Sequence, residues 1–97
     1  MLYMVIETFE AGAEVVYTRF AEKGRMLPDG VHYIDSWVTI DRRQCFQIMS
    51  AEAPELLDVW MGYWNDIVSF EVLPILSSRD AQKQTSGMEQ VSTRGGS

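Results

Sequence analysis

Apolar positions along this chain fall into four short β-like runs and two stretches of helical spacing. Leu2 to Phe9 is apolar and rich in β-formers, and reads as a first strand. Glu10-Ala11-Gly12 breaks it. From Ala13 to Lys23 the spacing becomes helical: Ala13, Val16, Tyr17 and Phe20 share a stripe, while Glu14, Arg19 and Glu22 look outward. Gly24 is placed to end that helix, and Pro28-Asp29-Gly30 marks a turn. Val31 to Ile40 and Gln44 to Ser50 form a hairpin around Asp41-Arg42-Arg43. Pro54 suits the first turn of a second helix, in which Leu57, Trp60, Met61 and Trp64 recur at helical spacing up to Asn65-Asp66. Ile67 to Leu76 is the fourth strand, and Pro74 assigns it to an edge.

Strand-helix-strand-strand-helix-strand with right-handed crossovers predicts an α+β, ferredoxin-like βαββαβ plait with antiparallel sheet order 4-1-3-2. Residues 1–76 make this one domain. Residues 77–97 lose the apolar pattern and read as a flexible polar tail.

Side-chain alternation divides each strand into two sets. Leu2, Met4, Ile6, Ile34, Ser36, Val38, Phe46, Ile48, Phe70 and Val72 are almost wholly apolar and are expected beneath the helices. The other set holds Tyr3, Val5, Glu7, Phe9, Tyr33, Asp35, Trp37, Cys45, Gln47, Met49, Glu71, Leu73 and Ile75, and is expected on the open face. Its apolar members are too extensive to leave in water, which predicts a homodimer with two sheets face to face. Its carboxylates predict a cavity between those sheets, because unpaired buried charge is costly.

Within that expected cavity, Glu7, Asp35 and Glu71 are the candidate catalytic acids and bases, with Glu7 and Glu71 near each other across neighbouring strands. Pairing of these carboxylates with Arg25, Arg43 or a partner subunit's arginine is the structural alternative. Tyr3, Tyr33, Trp37 and Gln47 are candidate ligand contacts for a flat, mostly apolar molecule, and Arg25 could reach a ligand carboxylate at the cavity mouth. His32 is the lone histidine and is expected on the helix side. Without a Cys/His/Asp cluster it signals no metal site. Cys45 has no neighbouring base in sequence and reads as a buried apolar thiol. No phosphate loop, Cys-x-x-Cys pair, Ser/His/Asp arrangement or dinucleotide fingerprint occurs, so no cofactor is expected.

Composition narrows the partners. Of 97 residues, 8 are Lys or Arg and 14 Asp or Glu, a net charge of -6. That field repels phosphate backbones and argues against nucleic acid. The start MLYMVIETF has no basic leader and carries Glu7 inside its apolar run, so neither a signal peptide nor a membrane span is expected. One cysteine forms no internal disulfide and fits a reducing, cytoplasmic setting.

The segments YMVIETF, EKGRMLPDGVHYIDSW, CFQIM and WNDIVSFEVLPIL resemble a family of small bacterial proteins of unknown function grouped with the dimeric α/β-barrel fold. The resemblance covers roughly residues 2–80, with GRMLP-G, Y-x-DSW and FEV-PI as its most specific pieces. It implies the fold and the dimer, and no reaction. Relatives of the wider fold include cofactor-independent monooxygenases, small isomerases and haem-degrading enzymes, an analogy at the level of fold alone. Three readings stand open: a dimer binding a small, largely apolar organic molecule as a cofactor-free oxygenase or isomerase, a non-catalytic binding or sensing module, and a purely structural dimer.

Overall fold

A computed structural model describes residues 1–86. Four strands, β1 (Leu2–Phe9), β2 (Val31–Val38), β3 (Gln44–Ala51) and β4 (Val68–Ile75), form one antiparallel sheet. Its order is β2-β3-β1-β4, the expected 4-1-3-2 read from the other edge. Helices α1 (Ala13–Lys23) and α2 (Pro54–Gly62) complete a ferredoxin-like βαββαβ fold. Pro74 lies on edge strand β4, where its missing N–H breaks no interior ladder.

Local chemistry sets the element ends. Gly24 adopts φ 67° and sends its N–H back to the Phe20 carbonyl at 2.7 Å, stopping α1 where a side chain would be strained. Pro54 opens α2 with no donor to waste. That helix ends at Gly62, short of the expected Asn65-Asp66, and Trp64 stands in the tight turn that follows. In the β2–β3 hairpin, the Asp41 carboxylate accepts bonds from the Thr39 hydroxyl and the Arg43 N–H, so the Arg42-Arg43 pair is an exposed turn.

Beyond β4 a further helix, α3 (Ser78–Ser86), occupies the start of the expected tail. Ser77 Oγ accepts the Asp80 N–H at 3.0 Å, an N-terminal cap that gives this polar segment its first turn. The remainder of the expected tail, residues 87–97, lies outside the described residues.

The sheet's two faces are where expectation and structure part. In β1 the buried positions are Tyr3, Val5, Glu7 and Phe9; in β3 they are Cys45, Gln47, Met49 and Ala51. These odd-numbered residues face the helices and meet Val16, Leu57, Trp60 and Trp64 in one core. Leu2, Met4, Ile6, Phe46 and Ile48 occupy the opposite face. The expected parity is therefore inverted in β1 and β3. It holds in β4, where Phe70 and Val72 pack against the core and Glu71 and Leu73 are exposed. Strand β2 switches parity midway, because a bulge at Ile34 inserts an extra residue between Tyr33 and Asp35.

The inversion has a physical reason. The mixed set enters the core because its polar members, Glu7 and Gln47, satisfy one another there. Met49, Leu57 and Val5 are the largest fully buried side chains, each of the kind whose burial contributes about 1.5–3 kcal/mol.

Candidate functional site

A cavity of about 140 Å³ lies between the sheet and the helices. Its floor is sheet: Glu7 and Phe9 from β1, Cys45 and Gln47 from β3, and Ser36 and Val38 from β2. Alternation places these side chains on one surface, and the β2 bulge is what brings Ser36 and Val38 to it. One wall is α1, which presents Val16, Tyr17 and Phe20 at 3- and 4-residue spacing. The opposite wall is Trp60 of α2 with Trp64 of the turn after it. Helix α1 buries only Val16 fully, so it stands off the sheet enough to leave the space open.

The polar groups of this cavity are held in place. Gln47 Nε2 donates to Glu7 Oε2, joining diagonal neighbours on β3 and β1. Burial raises the Glu7 carboxyl to about 7, while the Gln47 hydrogen bond and the Arg25 charge pull in the other direction. Cys45, directly across the ladder from Glu7, is pushed up to about 11 by burial and by that neighbouring carboxylate. It is a thiol, not a thiolate, and no nucleophile at neutral pH.

Arg25 sits at the edge of the cavity, in the loop between α1 and β2. Its backbone carbonyl accepts both indole N–H groups, from Trp60 at 3.0 Å and Trp64 at 3.2 Å. Its guanidinium carbon lies 3.6 Å from the Tyr33 ring centroid and 5.0 Å from that of Phe20. The Tyr33 hydroxyl is in turn tied to Ser36 Oγ at 2.6 Å. Met26, the next residue, takes φ 59°, a left-handed conformation that turns the chain back toward β2.

Set against expectation, the candidate residues divide. Glu7, Gln47 and Arg25 meet in the cavity, and Tyr33 braces it from behind Arg25. Tyr3 is a core residue, 5% exposed. Asp35 is exposed and accepts the Ser36 N–H at 2.8 Å. Trp37 is exposed and pairs with Phe46 on the open face. Glu71 stands opposite Ile6, one position away from the Glu7–Phe70 pair, so the two glutamates project from opposite faces. The expected carboxylate cluster does not form. His32 is exposed beside Ser50 on the open face, not on the helix side. Among the described residues no group of three or more His, Cys, Asp or Glu is placed to hold a metal. None of their helices is long and apolar enough to cross a membrane.

Sequence reasoning missed Tyr17, Phe20, Trp60 and Trp64 as cavity walls by treating them as plain helix core. A usable signal was present, since two buried indoles four residues apart each need an acceptor. That need points to an ordered backbone segment beside α2.

The fold is thus a ferredoxin-like α+β domain with an aromatic-walled cavity around one buried acid. The chain belongs to the family described as a domain of unknown function, DUF3303, which matches residues 1–89. No curated protein matches it, and no solved structure does.

Proposed function

We propose that this domain binds a small, largely apolar organic molecule of single-ring size in the cavity beneath its helices, and that Glu7 can exchange a proton with it. The observation that carries the reading is the cavity itself. Mostly aromatic and aliphatic side chains line an open-mouthed space of about 140 Å³ around one hydrogen-bonded carboxyl group. An apolar cavity of about 150 Å³ accommodates benzene, so one ring is the matching size. A carboxyl that titrates near neutrality suits proton transfer, because it is present in both forms at working pH. Among the reactions of the wider fold this favours an isomerase: Glu7 takes a proton from a carbon next to a carbonyl, leaving an enolate, and returns it elsewhere.

The parity of β1 and β3 puts a different set of residues on the open face, where a second copy is expected. Leu2, Met4, Ile6, Phe46, Ile48, Trp37 and Leu73 form an apolar patch on the open face, which also carries Asp35, Glu71 and His32. We propose that two such faces meet in a homodimer, which buries them and leaves each protomer's cavity on the outside of the joined sheets.

Toluene, phenol and acetophenone are suitable probes, followed through the fluorescence of Trp60 and Trp64 in the cavity wall. Saturable binding that Val16→Phe abolishes is expected, because the added bulk fills the space. Absence of binding by all three overturns the reading. Proton transfer is tested with acetophenone in deuterium oxide. Protein-dependent loss of its methyl proton signal that Glu7→Gln removes supports the isomerase. Binding without exchange favours the non-catalytic binding or sensing module.

A further inference from the structure

Arg25 is the one cationic side chain in the cavity lining, and both its ends are fixed before any ligand arrives. The carbonyl end is clamped by two buried indoles, and the guanidinium end lies against Tyr33 and Phe20. A guanidinium carbon 3.6 Å from a ring centroid is in stacking contact. Stacking occupies the face of the group and leaves its edge, with paired N–H donors, for an acceptor. Among the described residues nothing fills that role. Arg19 and Arg43 have carboxylate partners, whereas the Arg25 guanidinium forms no ion pair and no hydrogen bond with another described residue. Glu7 feels the Arg25 charge but gives its Oε2 to Gln47 and forms no ion pair with Arg25.

We propose that Arg25 makes this cavity a site for a single-ring organic anion, the ring held among the aromatic walls and its carboxylate lying along the guanidinium edge. This rests on the cavity being a ligand site, and it names the ligand's class. The geometry of the fork matches a planar carboxylate, which it binds through two parallel hydrogen bonds. Pre-organisation adds to it, because an arginine already stacked loses little freedom on binding. Size points the same way: a single-ring acid such as benzoate matches a space of about 140 Å³.

The test compares benzoate with its neutral isostere benzamide by titration calorimetry on the full chain at pH 7.5. Benzoate is expected to bind at least about tenfold more tightly, the contribution of a charge-assisted pair over a neutral one. Arg25→Met is expected to erase that preference while still binding benzamide, and Arg25→Lys to keep part of it, since the charge remains and the fork is lost. Neither substitution touches the backbone carbonyl that anchors Trp60 and Trp64, and unchanged thermal melting verifies that the fold is intact. Equal affinities in the unaltered protein overturn the anion proposal and leave the cavity standing as a binding site. A preference that survives in Arg25→Met overturns it too, by showing that another group reads the charge. Binding of neither compound removes the cavity reading and this proposal together.

Discussion

Gln47 Nε2 donates its hydrogen bond to Glu7 Oε2 beneath the helices, not on the open side of the sheet. The two residues are diagonal neighbours on adjacent central strands, so the pairing is set by the β1–β3 register. A slip of one residue would carry both to the other face. The bond satisfies one carboxyl oxygen and keeps the group oriented, while the apolar surroundings hold its affinity for protons high. Position and chemistry therefore come from the same register.

Glu7 makes stability depend on pH in an unusual direction for a carboxylate. Its native value is raised from 4.5 to about 7, so between those values the native state holds a proton that the unfolded chain has released. Stability then falls as pH rises through that window and levels off above it, by about 3 kcal/mol from this group alone. The charged groups facing it are Arg25 and, when ionised, Cys45. Glu7→Gln is expected to flatten this dependence, melting higher than the unaltered protein at pH 8 and close to it at pH 4.5. Parallel melting curves of the two proteins across that range would contradict it.

Cys45 is expected to resist alkylation. Its thiol is buried and raised to about 11, so the reactive thiolate is scarce at pH 8 and shielded as well. Iodoacetamide should label it at a small fraction of the rate seen in denaturant, as measured by intact mass. Rapid native labelling would mean that the cavity opens far more than its walls suggest.

Element order and strand pairing were legible in the sequence because each β-rich run, helical stripe and turn residue pointed the same way. The facing of the sheet was not. Both faces of β1 and β3 are rich in apolar residues, so alternation separates two sets without saying which is inside. The presence of Glu7 and Gln47 suggested the outside, and only their mutual hydrogen bond, invisible in one dimension, makes the inside affordable. In β2 the Ile34 bulge defeats parity outright, since no proline or glycine marks it. The same inversion separates Asp35 and Glu71 from Glu7, while Arg25, placed by its loop and not by parity, lines the cavity beneath the helices and not the one expected between two open faces.

Trp60 and Trp64 share a single acceptor, which makes their contributions interdependent. Replacing either by Phe keeps an aromatic ring and leaves the Arg25 carbonyl with one donor. Each single change is expected to cost about 1 kcal/mol from the lost hydrogen bond. The double change strips the carbonyl of both donors and should cost more than the sum of the singles. Denaturant unfolding of the four proteins forms the cycle, and strict additivity would show that the two bonds act independently.

The open face supplies the last test, because its chemistry asks for a second copy. Phe46 and Ile6 are Cα partners on the two central strands, flanked by Trp37 and Glu71. A dimer joined there would bury both side chains at its centre, each contributing about 1.5–3 kcal/mol. Phe46→Glu places a charge at that point, where desolvation without a partner costs several kcal/mol. The unaltered protein is therefore expected to sediment as a dimer at micromolar concentration, and Phe46→Glu as a folded monomer. The cavity lies on the opposite side of the sheet, so benzamide binding should persist in that monomer. A monomeric unaltered protein would refute the interface.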